Sequence, residues 1–399
     1  MHPSKFWDKD KKEGQVKSPF SVRQLVAAPG MWVSTCVGAA ANPSTSTFSS
    51  LSTPAREVYG LSLFVLAITG MIFFSVSCLL VYALVHFRAR PDDETEPPQV
   101  FGSVNIELAW TIIPILTLVV LFLGTARVLF SIQDARKPAS ALDVTVVGHQ
   151  FWWEFRYPQY NVVTANELHL PLSSAEAQQP TFMKLTSADV MHSFWVPQLA
   201  GKTDLLPNRV NEMWIDPLKP GLYLGQCAQF CGIEHAKMLL RIYVDEPEQF
   251  KNWIAEQQQK QPEIKDQQAA DEGQPNPKID ERQSPLPPNS PATRINTANE
   301  SAVVPQGTNA HDGQLVFEHQ ACINCHTVAG TIADGRFGPD LTHLMSRSTL
   351  AAGVVSNTPD QLNAWISAPD KIKPGSLMPN MHLTDRQNAQ ITAYLLTLK

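Results

Sequence analysis

Cysteine is scarce, with six in 399 residues. That is too few for a disulfide scaffold. Cys227/Cys231 and Cys322/Cys325 form close pairs, while Cys36 and Cys78 stand alone. Charge is scarce as well, at 17% of residues, and the net charge of −6 denies the chain the basic face that a nucleic-acid partner needs. Docking of a basic protein stays open. No internal repeat is visible, which excludes a solenoid. The length allows two or three domains.

Two stretches lack charge altogether. Leu61 to Val85 is one; Leu108 to Ala126, extending past Arg127 to Ile132, is the other. A bilayer span needs roughly 20 apolar residues, so both are expected to cross a membrane rather than to be buried core helices. Pro114 falls near the start of the second span, where a helix tolerates it best. The short loop His86 to Asn105 carries Arg88 and Arg90 but also acids, so the positive-inside rule gives a mild push toward placing it in the cytoplasm, with both chain ends then outside. Before the spans, Lys5, Lys9, Lys11, Lys12, Lys17 and Arg23 precede the apolar stretch Leu25 to Ala41. This outlines a secretory leader, with Cys36 as a candidate lipid-anchor position, although Pro29 and Gly30 interrupt it. A retained segment is the alternative.

Beyond the spans, β-branched and aromatic residues alternate at Leu142 to Gly148 and in Gln150-Phe151-Trp152-Trp153-Glu154-Phe155-Arg156-Tyr157. Further strands are expected at Thr181–Leu185, Glu212–Ile215, Gly221–Gly225 and Met238–Val244, giving a small antiparallel barrel or sandwich. Glu246 to Gln259 reads as a short helix. From about Lys260 to Asn309, Gln, Pro, Asp, Ser and Asn dominate, and no core can form there; this is expected to be a flexible linker. Apolar content returns at Asp312. The last helix carries a capping box, Thr384 with Gln387, and an apolar stripe of Ile391, Tyr394, Leu395 and Leu398. The expected division is 1-56 as N-terminal segment, 57-136 as membrane hairpin, 137-259 as β-domain, 260-309 as linker and 310-399 as helical domain.

Two ligand sets follow in tandem. The first is Cys227-Ala-Gln-Phe-Cys231-Gly-Ile-Glu-His235-Ala-Lys-Met238, with His192 upstream. Thiolate, imidazole and thioether together suit copper in electron transfer, whereas zinc gains nothing from Met238. Two cysteines four apart can bridge two copper ions. His192 and His235 then take one each, and Met238 and the Gln229 backbone carbonyl fill weak axial positions. Two alternatives stay open: one face of an amphipathic helix, against which Gly225 and Gly232 argue, and free or disulfide-bonded cysteines.

The second set, Cys322-Ile-Asn-Cys325-His326, is the pattern of covalent c-type haem attachment. Cys322 and Cys325 form the thioethers and His326 is one axial ligand. Met378, in Lys373-Pro-Gly-Ser-Leu-Met378-Pro379, is the expected second ligand, a pairing that suits electron transfer. Met381, Met345 and His343 are its competitors, and a redox or zinc Cys-x-x-Cys is the alternative to haem.

Met191-His-Ser-Phe-Trp-Val-Pro197, Gly201-Lys-Thr-Asp204, Pro220-Gly-Leu-Tyr-Leu-Gly-Gln-Cys227 and the cysteine loop resemble subunit II of haem-copper oxidases over about residues 57 to 256. Residues 310 to 399 resemble class I cytochromes c. Together the chain is similar to subunit II of caa3-type cytochrome c oxidases, with a fused cytochrome c domain. The resemblance implies a Greek-key cupredoxin barrel with binuclear copper A, followed by an all-α haem c domain. It implies an electron-input role toward subunit I, which reduces oxygen and pumps protons, with subunit III alongside. A cytochrome c or another one-electron donor would supply the electrons. The implied site is the bacterial inner membrane, with both redox domains outside.

By the same resemblance, Glu107 marks the mouth of a proton path, and Pro339 in Gly338-Pro-Asp-Leu341 orients His326. The family's electron-accepting tryptophan position holds Phe151 here, which passes that role to Trp152 and Trp153. An acid that contacts a magnesium or manganese ion in the family is Gln229 here, a departure that leaves the second ion unsupported. A copper A-type nitric oxide reductase and a stand-alone membrane electron carrier are the alternatives.

Overall fold

The computed structural model describes residues 45–88, 99, 102–173, 179–259 and 309–399. The leader, the Cys36 anchor and almost all of the linker lie outside these residues. The described residues fall within one compact unit, Pro43–Lys399.

Two long helices open the described chain. Helix α1 spans Thr53–His86 and α2 spans Val104–Gln133. The Ser52 side chain caps α1 at Ala55, with Pro54 in the first turn, where its missing N–H costs nothing. Leucines, phenylalanines and isoleucines line both helices and are exposed, as lipid-facing or partner-facing helices require. Helix α2 begins four residues earlier than the apolar run, so Pro114 sits about three turns in rather than at its start.

The open end of this hairpin meets the β-domain. Ser52 donates to the Leu199 carbonyl, and the Thr53 amide donates to Asp216 at 2.7 Å. Trp214 Nε1 donates to the Ile132 carbonyl near the end of α2 at 2.8 Å.

Ten strands follow: β1 (Leu142–His149), β2 (Trp152–Tyr157), β3 (Val162–Ala165), β4 (Glu167–Pro171), β5 (Thr181–Ser187), β6 (His192–Trp195), β7 (Thr203–Leu205), β8 (Asn211–Ile215), β9 (Gly221–Cys227) and β10 (Leu239–Asp245). They form two five-stranded sheets, β3-β2-β1-β5-β8 and β4-β10-β9-β6-β7. Period-2 burial in β1, β5 and β10 turns Leu142, Val144, Val146, Met183, Leu185, Leu240, Ile242 and Val244 inward. Trp153, Phe155 and Phe194 complete the filling.

The sheets are not purely antiparallel. Strands β1 and β5 pair in parallel, as do β4 and β10, because each pair is joined by a connection that crosses through the other sheet. Strands β3, β4, β6 and β7 went unread in the sequence because they are short and their burial comes from packing. Helix α3 (Pro247–Gln257) closes one end, with Phe250 and Ile254 buried.

The C-terminal domain contains α4 (Asn309–His319), a two-residue hairpin β11 (Thr349–Leu350) and β12 (Val355–Ser356), α5 (Pro359–Ser367), α6 (Pro369–Ile372) and α7 (Asp385–Leu395). The Thr384–Gln387 capping box forms in α7, and Ile391, Tyr394, Leu395 and Leu398 are buried. Helices α4 and α7 cross at Gly313, where an added Cβ would stand 1.9 Å from the Gln390 carbonyl oxygen. Alanine would gain about 1 kcal/mol of helix propensity. Overpacking at a backbone contact costs ~3 kcal/mol. Gly313→Ala is therefore expected to destabilise this domain by a net ~2 kcal/mol. Haem-region circular dichroism of the purified membrane protein on heating checks this; an unchanged melting temperature counts against the crossing.

Candidate metal centres

Cys227 ends β9, a loop carries Cys231, His235 starts a 3-10 turn, and Met238 immediately precedes β10. The four are therefore not a helix face, and the free thiols stand 3.9 Å apart, not disulfide-bonded. His192 arrives from β6, beside β9 in the same sheet.

The donor atoms converge. Cys227 Sγ lies 4.0 Å from His192 Nδ1 and 3.1 Å from the Gln229 carbonyl oxygen. Cys231 Sγ lies 3.7 Å from His235 Nδ1 and 3.9 Å from Met238 Sδ. His192, Cys227 and Cys231 form a group compact enough to hold a metal ion, and all three are buried with Met238. Two soft thiolates at the centre, flanked by two imidazoles, a thioether and a carbonyl, fit copper.

Neighbouring groups set the protonation of this site. Cys231 first, and then His192, hold the Cys227 thiol well below its usual range, and Cys227 in return pushes the Cys231 thiol up. Burial would lower the His192 pKa, but its contacts with Asp189 and Cys227 raise it. His192 Nε2 lies 2.8 Å from Asp189 Oδ1. A carboxylate only accepts, so Nε2 donates and Nδ1 is left free to face the thiolate. Asp189 also accepts from the Gln150 amide at 2.6 Å, and the Gln150 side chain donates to the Cys231 carbonyl at 2.7 Å. Gly148 leaves room for the His192 ring, since a Cβ there would meet His192 Cδ2 at 2.8 Å. Neither Asp189 nor Gln150 carried a sequence signal beyond closeness to His192 and to the aromatic run.

Trp153 is fully buried, 6.1 Å from the His192 ring. Trp152 is also buried; it stacks on His149 at 4.1 Å and packs with Ala165 and with Ala352 of the C-terminal domain. Neither ring faces solvent. Glu107 is exposed in the first turn of α2, where the helix dipole favours a carboxylate.

In the second set, Cys322 lies in a 3-10 turn (Ala321–Asn324) that leads directly to Cys325 and His326, and the His326 amide donates back to the Cys322 carbonyl at 2.9 Å. His326 Nδ1 lies 2.7 Å from the Pro339 carbonyl oxygen. That oxygen only accepts, so Nδ1 carries the proton and Nε2 keeps its lone pair for iron. Burial lowers the His326 pKa, which favours the neutral ligand form. Gly338 packs on the ring, since a Cβ would stand 2.5 Å from His326 Cε1. Two adjacent thiols and an oriented neutral imidazole fit a covalent haem.

Met378 is half-buried, and its amide donates to Ser376 Oγ at 3.3 Å. Of its competitors, His343 is engaged with the Lys399 carbonyl at 2.7 Å, and Met345 packs against the domain core.

The two domains touch beside the copper ligands. Glu167, at the start of β4, is 2% exposed. It accepts from the Ser348 amide at 3.0 Å and from Thr349 Oγ1 at 2.7 Å. Arg241 donates to Thr349 Oγ1 at 2.9 Å, and the Leu239 amide donates to the Ala352 carbonyl at 3.2 Å. Between β11 and β12, Ala351, Ala352 and Gly353 have φ of 54°, 59° and 82°. Left-handed alanines persist only where their surroundings hold them, and here Ala352 packs on Trp152 while Gly353 lies against Leu239.

Three family models match in order: cytochrome c oxidase subunit II, transmembrane domain, over residues 41–127; cytochrome c oxidase subunit II, periplasmic domain, over 175–244; and cytochrome c over 310–399. Cytochrome c oxidase subunit 2 of Alkalihalophilus pseudofirmus is 30% identical over 344 residues, covering 85% of each chain. That of Bacillus sp. strain PS3 is 28% identical over 332 residues, covering 78% of this chain and 80% of the relative. Among solved structures, the periplasmic domain of subunit II of cytochrome oxidase of Bradyrhizobium japonicum is 28% identical, covering 31% of this chain and 95% of that one, with a TM-score of 0.28. Membrane helices, a cupredoxin with a copper A ligand set and a haem c domain thus follow one another, and the chain belongs to the cytochrome c oxidase subunit 2 family.

Proposed function

We propose that this chain is the electron-input subunit of a terminal oxidase in a bacterial cell membrane, crossing it twice with both redox domains on the outer side. Cys322 and Cys325 would hold haem c covalently, with His326 and Met378 as the residues that would ligate its iron and Pro339 orienting His326. His192, Cys227, Cys231, His235, Met238 and the Gln229 carbonyl hold copper A. When bound, the two centres would supply one-electron redox chemistry, and the chain would pass electrons from a c-type donor toward haem-copper subunit I, which would reduce oxygen and translocate protons, with subunit III beside it. Glu107 serves the mouth of a proton path. Trp152, packed against Ala352 of the haem domain, and Trp153, 6.1 Å from the His192 ring, would be the entry for electrons from the attached haem.

The observation that carries this reading is the convergence of a six-member soft donor set, 3.1–4.0 Å between neighbouring atoms, beside a docked Cys-x-x-Cys-His domain. The test is gentle purification of the tagged membrane complex, with a reduced-minus-oxidised spectrum and gas consumption. Haem a beside haem c, with oxygen consumed, is expected. Haem b without haem a, together with consumption of nitric oxide, would overturn the oxidase reading. Haem c alone from a complex with no partner subunit would point to a stand-alone carrier.

A further inference from the structure

Lys373 is buried, at 3% exposure, which is unusual for a lysine. Its ammonium donates to three backbone carbonyls: Phe151 at 2.8 Å, Lys237 at 2.9 Å and Ala351 at 3.2 Å. A lysine has three N–H donors and no acceptor, so each donor is matched. The three carbonyls come from three different places. Phe151 adjoins β2 beneath the copper loop, Lys237 directly precedes Met238, and Ala351 lies in the left-handed turn of the haem domain. Burial brings the Lys373 pKa down to about 8, against which the Glu234 carboxylate pulls it back up. Glu234 is itself buried, with one oxygen lacking a hydrogen-bond partner.

Lys373 also starts the segment that runs to Met378. Two residues on, Gly375 meets the copper loop: a Cβ there would stand 2.6 Å from Ile233 Cγ2. The segment carrying the expected haem ligand is therefore tied at one point to main-chain atoms of the copper-ligand loop. A bond to a carbonyl holds the backbone itself, so on the copper-loop side this tie does not depend on side-chain rotamers. The Glu167 and Arg241 contacts on β4 and β10 press the domains together further away.

We propose that Lys373 is a positioning residue that sets the register of the haem-ligand segment on the copper loop, and so makes the docked domain competent for electron transfer. This rests on the copper and haem roles assigned under Proposed function. The transfer it serves would pass one electron from a reduced haem c to an oxidised copper A, with no bond made or broken.

The test is Lys373→Met in the full membrane complex, a change that keeps length and removes the donors. Metal content and the copper and haem spectra are expected to be unchanged, and so is reduction of haem c by its external donor. Amide hydrogen exchange at Leu239 and Ser348, whose N–H groups bond across the interface, should accelerate roughly tenfold or more. Flash-induced haem-to-copper transfer should slow by at least about tenfold, because the competent fraction sets the observed rate. Exchange and transfer both within about twofold of the parent would overturn the proposal.

A variant that fails to hold its metals is bypassed by a measurement on the parent protein. A buried cation on carbonyls is poorly screened, so raising the salt from about 0.05 to 0.5 M should leave exchange at Leu239 and the transfer rate unchanged. A severalfold change in either would mean that exposed ion pairs, not Lys373, set the register. Loss of the roles assumed for the two centres shows separately, as absent copper or haem in the parent.

Discussion

Cys227→Ser is expected to cost the protein both copper ions while leaving haem c in place. Cys227 is the hub of its half of the site, in contact with His192, the Gln229 carbonyl and Cys231. Serine is nearly isosteric but offers a hard, protonated oxygen that does not bridge two soft ions. Cys227 is itself buried in the barrel core with Trp153, Phe155, Leu168 and Phe194, but serine nearly keeps its volume, so the fold should persist. The haem domain has its own core around Phe317, Ile391 and Tyr394 and its own ligands. Metal analysis should fall from two coppers per chain toward none, with the haem c spectrum intact. Oxygen consumption should drop on the order of a hundredfold or more, since an interrupted electron path removes the route rather than weakening a contact. Retention of two coppers per chain would refute the bridging role of Cys227.

Cutting the chain within residues 260–308 is expected to change the kinetic order of haem-to-copper transfer. The sequence there is a Gln/Pro/Asp/Ser-rich segment. If it behaves as the flexible linker its composition predicts, a segment of roughly 50 residues would span about 40 Å r.m.s.. It would hold the haem domain at an effective concentration on the order of millimolar. After cleavage at micromolar protein, the partner concentration falls about a thousandfold. Polar interdomain contacts such as Glu167 with Ser348 and Arg241 with Thr349 resemble those of a transient interface, not an obligate one. Transfer should therefore become dependent on the concentration of released domain and recover when that domain is added back. Flash photolysis after cleavage at an engineered protease site reads this directly. Transfer that stays fast and concentration-independent would show that the interface alone holds the domain.

Both expectations start from residues legible in the sequence. The candidate copper donors Cys227, Cys231, His235 and Met238 could be read because they are metal-ligating side chains at tight spacing, and the haem motif because its thiols and histidine fall within five residues. The two long helices were legible from uncharged runs, and α7 from its cap and stripe. Strands of three to five residues were less so. Strand β7, Thr203–Leu205, has no periodicity to read and exists because it pairs with β6. The parallel β1–β5 pairing is likewise a matter of how the chain crosses between sheets. Asp189 and Gln150 looked like ordinary loop polar residues until the fold brought them against His192 and Cys231.

What the sequence determined by itself, then, was the chemistry on offer: the candidate ligands, their grouping into two sets, and the membrane hairpin. These depend on residue type and local spacing, which the chain carries without folding. Only the tertiary structure decided where the aromatic run points and what covers it. Trp152 lies under Ala352, 200 residues away in the chain, and Lys373 reaches carbonyls at Phe151 and Lys237. Such contacts join segments whose separate sequences hold no trace of each other, because a backbone carbonyl has no residue-specific signature. The domain interface is therefore a property of the folded surface and not of any motif.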